Sequence, residues 1–413
     1  MSKPHLFALP LASLTAVGLL ASDLYLPALP SMGAELAASI PAAQATMALF
    51  MIALALSQLV WGWAADHFGD RWTILAGTAL LAGGSLLCAL APGIDAMLAG
   101  RLVQGLGAGA ATVAVPALIR RRFSETDAVS ALAMVAMAES VIPAIGPAVG
   151  AAIVLYAGWR TTFWVIAVMS VALMPLAARM LGGSMIRPTA AVPAAQAVAV
   201  AQAAGADSGG AGTGATGTAD AAGGGALLAY MPLLRNGPFM RYALSYALMF
   251  GALLMFVASA PVIVTHSMGL SIRAFAVLQI CGVAAFMLGA TTAMRRVKQT
   301  GAAPLLRWGA WMQIASGVLM TMLAWQGDFG LAPLVVLWAL FCSGLGVRGP
   351  STMGGALQAA GEHAGKGAGL TMFLAFAAVA LATMAAAPLL HFGLLPVAAL
   401  LLALSAASKL LLR

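Results

Sequence analysis

Apolar runs long enough to cross a membrane recur along almost the whole chain, and no other feature restricts its fold as much. A helix needs about twenty consecutive apolar residues to span a bilayer. Twelve such runs occur, over residues 6–27, 44–65, 72–91, 96–118, 131–156, 160–181, 239–261, 272–293, 304–324, 330–347, 367–388 and 390–411. In lipid, every backbone N–H and C=O must be bonded within its own segment, so each run is expected to be a helix. A soluble reading fails on composition, because 62% of residues are hydrophobic and 8% charged, against roughly 25% charged in soluble domains. The expected fold is therefore an all-α membrane protein of twelve transmembrane helices, with the lipid bilayer as its partner. The net charge of +8 would point to nucleic acid in a soluble protein. Here the basic residues cluster between apolar runs, which points to topology and away from nucleic acid. Lys3 followed by apolar residues to Ser22 mimics a signal peptide, but so many equally apolar runs follow that it reads as an uncleaved first span.

The character changes between residues 186 and 235. From Ala190 to Gly225 nearly every residue is Ala, Gly, Ser, Thr, Val or Gln, and the charges are Asp207 and Asp220. Nothing bulky is available to bury, so a disordered linker is expected between two six-helix halves, residues 1–185 and 236–413. With the N-terminus inside, 17 of the 20 basic residues, Arg348 among them, fall in inner loops or ends. Arg160 and Arg273 fall outside, and Arg101 lies within a span. Both termini and the linker are therefore expected to be cytoplasmic. The halves also echo each other. Gln104-Gly105-Leu106-Gly107 has a counterpart in Ser343-Gly344-Leu345-Gly346, and Ser31-Met32-Gly33 recurs as Ser267-Met268-Gly269. The two matches are offset by nearly the same interval, which favours a duplicated transporter with its site between the halves.

Chemistry-bearing clusters are few. His5, His67, His266, His363 and His391 have no metal-ligand spacing, and no glycine-rich loop ends in the Lys-Ser/Thr that holds nucleotide phosphates. Cys88, Cys281 and Cys342 fall inside apolar segments and read as small buried hydrophobes. No metal, cofactor or enzyme activity is expected. The informative residues are ionisable groups inside spans. Asp23 and Glu139 each place a carboxyl in apolar surroundings, where a proton can be held and released as exposure alternates; which of them dominates is left open. Arg101 either supports an internal polar network or snorkels to the nearby outer surface. Tyr25, Trp61, Met249 and Phe250 are candidates for a cavity lining, although packing against helices or lipid is the ordinary role of such residues.

Several motifs complete the reading. Gly62-Trp-Ala-Ala-Asp66-His-Phe-Gly69-Asp70-Arg71 lies between the second and third spans. Gly69 permits a tight turn, and Asp66 can face a helix N-terminus or a basic residue and latch one conformation. The fourth span carries Arg101-Leu-Val-Gln104-Gly105-Leu-Gly107-Ala-Gly109, and the fifth Pro143-Ala-Ile-Gly146-Pro147-Ala-Val-Gly150. In the fifth, small residues allow close packing and Pro147 can bend the helix. Asp23-Leu-Tyr25-Leu-Pro27-Ala-Leu-Pro30-Ser-Met32 ends the first run, Gly158-Trp159-Arg160 precedes the sixth, and His363-Ala-Gly365-Lys-Gly367 precedes the eleventh.

Together these motifs resemble the major facilitator superfamily and, within it, the bicyclomycin/chloramphenicol-resistance family of exporters. The resemblance covers the chain outside residues 186–235. It departs at Asp70, where the family usually has a basic residue, so a weaker latch is expected, and at Ala151, which replaces a final glycine. The resemblance implies a proton-coupled antiporter that works as a monomer in the bacterial inner membrane and exports small amphipathic molecules by alternating access. It assigns Asp23 and Arg101 to proton coupling, Gly62, Asp66, Gly69 and Arg71 to the conformational loop, and Pro143, Gly146, Pro147 and Gly150 to the antiporter motif. The alternatives are a transporter of one native metabolite, such as a sugar, amino acid derivative or siderophore, and a membrane-bound sensor or enzyme. The latter would need a catalytic cluster or a soluble output domain.

Overall fold

The computed structural model describes residues 4–123, 125–181, 230–327 and 330–412. Among them lie twelve long helices and no strand: α1 (Pro4–Asp23), α2 (Ile40–Phe68), α3 (Asp70–Ala89), α4 (Ile94–Arg122), α5 (Glu125–Ala157), α6 (Arg160–Leu181), α7 (Gly237–Val262), α8 (Ile272–Thr300), α9 (Ala302–Trp325), α10 (Leu331–Ala360), α11 (Ala364–Ala386) and α12 (Leu394–Leu410). Nine of these segments are long and apolar enough by themselves to cross a membrane. Helices α5, α9 and α12 pack on α1, α10 and α9 respectively. The linker expected over 186–235 lies outside the described residues except at its end, where Met231–Arg235 is a short helix.

Two expectations are corrected. The first span does not end at residue 27. After α1 the chain passes through a 3-10 turn, Leu26–Ala28, into a short helix, Leu29–Glu35. Pro27 and Pro30 cannot donate to the carbonyls four residues earlier, so the helix breaks after Asp23 and then resumes. Arg348 does not lie in an inner loop. Helix α10 continues past the expected end at 347, as far as Ala360, and Arg348 is 1% exposed within it. Counting apolar runs stops at a charge, whereas a helix stops only where backbone bonding does.

Packing reveals the duplication. In the first half α4 packs on α1, α2 and α3, α6 on α1 and α3, and α5 on α1. In the second half α10 packs on α7, α8 and α9, α12 on α7 and α9, and α11 on α7, which is the same scheme six helices later. Local geometry sets the register. Ser39 and Ser271 precede α2 and α8 with the same extended backbone. Gly69 and Gly301, separated by that same interval, make the α2–α3 and α8–α9 turns with φ of 82° and 75°. Helices α4 and α10 begin at Ile94 and Leu331, which fixes the register of that pair. It matches Gly107 with Gly344 and Gly109 with Gly346, a slip of two from the sequence match. In the turn before α2, the interval between Ser39 and Ser271 matches Ala37 with Gly269 in place of Gly33 with Gly269. Both members of that pair have positive φ, 49° and 63°.

The halves meet along α2 against α11 and α5 against α8. At the end remote from the termini, one apolar cluster joins Leu24, Met32, Phe50 and Trp159 of the first half to Phe256, Val264, Trp338 and Leu390 of the second. Gln44 Nε2 also donates to the Ala258 carbonyl at 3.0 Å there. At the termini end each cluster belongs to one half: Leu11, Ile74, Leu118 and Leu132 in the first, and Tyr246, Leu345 and Met353 or Leu233, Phe239 and Ala356 in the second. Among the described residues, the apolar cluster shared by both halves lies at the end remote from the termini.

Candidate functional site

The break in α1 is the structural centre of the first half. Asp23, at the last turn before it, is 7% exposed. Its Oδ1 accepts a hydrogen bond from Ser22 Oγ at 3.1 Å, and it takes part in no ion pair among the described residues. With Pro27 four residues ahead, the Asp23 carbonyl also lacks its usual helical donor. Helix α5 closes over this point because its glycines leave room. A Cβ on Gly146 would stand 2.9 Å from Asp23 Cβ, and one on Gly150 would stand 2.1 Å from the Leu24 carbonyl oxygen. The glycines of the α5 motif thus seat that helix on the Asp23 Cβ and the Leu24 main chain.

On the opposite flank sits Arg101, 0% exposed, so it does not snorkel to the surface. Its Nη1 donates to the Ala21 carbonyl at 3.1 Å and to Gln104 Oε1, and its Nε donates to the Thr46 carbonyl at 3.3 Å. Gln104 Nε2 passes the network on to Ser85 Oγ at 2.8 Å. The guanidinium lies 4.0 Å from the Tyr25 ring centroid and 4.1 Å from that of Phe50. Tyr25 in turn bonds Thr46 Oγ1 at 2.7 Å. A desolvated cation–π contact contributes about 2 kcal/mol, so ring faces and neutral oxygens stand in for the missing carboxylate. Arg101 and Asp23 flank the same break without touching each other.

The other sequence candidates are placed as follows. Tyr25 and Met249 are buried, at 1% and 2% exposure; Tyr25 belongs to the apolar cluster shared by both halves, and Met249 to a cluster of the second half. Trp61 is held to α4 by a 2.6 Å bond from Nε1 to the Leu106 carbonyl. Phe250 stacks on Tyr246 and meets Phe376 edge-on, in an aromatic group between α7 and α11. Gly62 faces open space, Gly69 makes the turn and Arg71 is exposed. Pro147 is buried in α5. Asp66, Glu139 and Pro143 lie on α2 and α5, and their side chains fall outside the described set. In the conformational loop, the contact observed is an ion pair between Asp70 at the start of α3 and Arg121 near the end of α4. The residue that departs from the family pattern therefore fastens two helices of one half.

Two arrangements escaped the sequence reading. Glu35 accepts from Trp159 Nε1 at 2.6 Å and pairs with Arg160, tying the short helix after the break to the start of α6. Arg348 donates to Gln313 Oε1 at 3.0 Å and to Ser245 Oγ and Ser408 Oγ at 2.9 Å each, joining α10 to α9, α7 and α12. The run Gly349-Pro350-Ser351-Thr352 directly after Arg348 reads as a turn and hides the helix; the signal against a loop is that no charge follows Arg348 until Glu362.

Comparison with known proteins gives these features a setting. The model of the Major Facilitator Superfamily matches residues 11–411. The chain is similar to the uncharacterized MFS-type transporter YdgK of Bacillus subtilis (strain 168), 28% identical over 368 residues, covering 87% of this chain and 83% of that one. It is also similar to the multidrug resistance protein MdtL of Escherichia coli O81 (strain ED1a), 32% identical over 149 residues. That alignment takes in 36% of this chain and 38% of MdtL, so it spans well under two thirds of that relative. Among solved structures, the xylose transporter XylE from E. coli, in a partially occluded inward-open conformation, matches with a TM-score of 0.67 at 12% identity. The match covers 99% of this chain and 98% of that one, and is a likeness of fold.

Proposed function

Because this chain belongs to the major facilitator superfamily, we propose that it is a proton-coupled antiporter that exports small amphipathic molecules across a bacterial cytoplasmic membrane. The observation that best supports this reading is Asp23. The first span runs from Leu9 to Glu35, so Asp23 lies near its centre, at a helix break, buried and without an ion-pair partner among the described residues. Broken helices near the midplane are where transporters of this kind place substrate and coupling ions, and an unpaired carboxyl at membrane depth is a group that can carry a proton. The partial similarity to MdtL supports a drug-like cargo, and the aromatic group of Phe250, Tyr246 and Phe376 offers apolar surface beside the seam between α7 and α11.

The distribution of basic residues supports cytoplasmic termini. On this reading the end where the halves share an apolar cluster is the outer one, and cargo enters from the cell side. Each half is internally cross-braced, which suits a monomer whose halves rock as units. The reading is tested by expressing the chain in an efflux-deficient bacterium and measuring growth across a panel of amphipathic antibiotics. Raised resistance that collapses with a protonophore is the expected outcome. Unchanged sensitivity to every compound, with the protein present in the membrane, would count against export.

A further inference from the structure

We propose that a groove between α8 and α9, floored by α10, binds an anionic phospholipid from the leaflet on the termini side. The groove has a volume of about 240 Å³. A buried cavity of roughly 150 Å³ holds a benzene ring, so this groove has room for a length of acyl chain but not a whole lipid. It is set apart from the seams α2–α11 and α5–α8, where the halves meet.

Glycine builds the groove. A Cβ on Gly289 would stand 2.3 Å from the Ser343 carbonyl oxygen, and one on Gly309 would stand 2.5 Å from that of Gly344. Both α8 and α9 therefore sink onto α10, while they touch each other much less than either touches α10. The space left between them is walled by Leu288, Thr292 and Arg296 on one side and by Trp308 and Met312 on the other. Its character changes along its length. Arg296 and Trp308 stand near the α8–α9 turn, whereas Leu288 lies two helical turns away, about 12 Å deeper at helical rise. Leu288 is 68% exposed and Trp308 46%, so the groove opens to the surface that faces lipid. An indole at the turn end and alkyl side chains further in match a headgroup region above hydrocarbon.

Charge decides the kind of lipid. Arg295, Arg296 and Arg307 surround the turn and are exposed, and none has an ion-pair partner among the described residues. No Asp or Glu occurs between residues 290 and 310. The repeat-related turn of the first half carries Asp66 and Asp70, and Asp70 is paired with Arg121. One turn is thus neutralised from within the protein, and its counterpart is left for an anion from outside. A basic pocket between spanning helices is the arrangement that holds anionic headgroups.

The test is native mass spectrometry of the purified full-length protein titrated with dioleoylphosphatidylglycerol, with dioleoylphosphatidylcholine as the neutral comparison. The double variant Arg296→Gln/Arg307→Gln should bind phosphatidylglycerol about fivefold more weakly for each arginine removed. Thr292→Phe fills the groove and leaves every charge in place, and it should lose the bound lipid as well. Arg179→Gln removes an exposed cation at the same end, on α6, and should bind as the parent does. Loss in both groove variants with Arg179→Gln unaffected supports the site. Parent-like binding in Thr292→Phe would overturn it, because lipid would then be attracted by charge alone. Parent-like binding in the double arginine variant would overturn it too.

Discussion

Arg101 and Arg348 show what a buried cation requires when no carboxylate is at hand. A guanidinium has five donors in a rigid plane, and at Arg101 they are shared among two main-chain carbonyls, Gln104 Oε1 and the Met47 sulfur, with aromatic rings beside the plane. Lysine would keep the charge but lose the fork and the stacking. Each lost hydrogen bond to a charged group costs about 1.5–3 kcal/mol, so Arg101→Lys should destabilise the protein by about 2–3 kcal/mol. Thermal unfolding in detergent measures this against Arg179→Lys, an exposed site where the change should stay within about 0.5 kcal/mol. Equal stability of the two variants would mean that the network around Arg101 is not what holds it. The repeat sharpens the contrast. Counted from the helix start, Trp338 occupies in α10 the position that Arg101 occupies in α4, and it stacks on Phe256 at 4.3 Å. At the same depth one half is polar and cationic and the other aromatic, in keeping with proton chemistry in the first half and apolar contact in the second.

At the level of helices and turns, close approach is set by glycine and by the breaks that proline makes. The Gly150 position is the clearest case, because an added methyl would meet the Leu24 main chain at 2.1 Å and backbone cannot swing aside. Gly150→Ala should push α5 off the α1 break at a cost of about 1–3 kcal/mol. Transport in membrane vesicles should fall severely while membrane abundance stays near the parent's; full transport would show that α5 need not sit on Asp23. A second test lies in the turn before α2. Ala37 holds a φ of 49° where its repeat partner is Gly269, and a left-handed conformation costs a residue with a Cβ about 1–2 kcal/mol. After the unfolded-state entropy of glycine is set against this, Ala37→Gly should raise stability by about 0.5–1 kcal/mol. Gly269→Ala, with nothing within 4 Å of the new methyl, should lower stability by about 1 kcal/mol. Chemical denaturation of both variants checks the pair. Existence and order of the spans were legible in the sequence because hydrophobicity alone selects them. Their ends were not. The run containing Arg348 was cut at the charge, the run containing Asp23 was cut at the prolines, and the repeat register slipped because a short glycine match does not say which neighbour each glycine faces.

As a whole, the molecule consists of two cross-braced halves that, among the described residues, share an apolar cluster at the end remote from the termini. A rocking motion that opens that end must part Gln44 from Ala258. Cysteines placed at these two positions, in a background lacking Cys88, Cys281 and Cys342, should be joined by a short bifunctional thiol reagent. Joining them should stop transport, whereas the reagent should not affect either single-cysteine protein; undiminished transport in the joined protein would show that this end does not open. The central claim, that the carboxyl at the break of α1 carries the proton, is tested most directly in liposomes containing the purified protein and a pH-sensitive dye. The parent protein should move protons when an exported substrate is added. Asp23→Asn should abolish that movement while substrate-for-substrate exchange continues, since binding and rocking remain. Proton movement that persists in Asp23→Asn and also in Asp23→Asn/Glu139→Gln would contradict a carboxylate mechanism, and loss only in Glu139→Gln would move the site from α1 to α5.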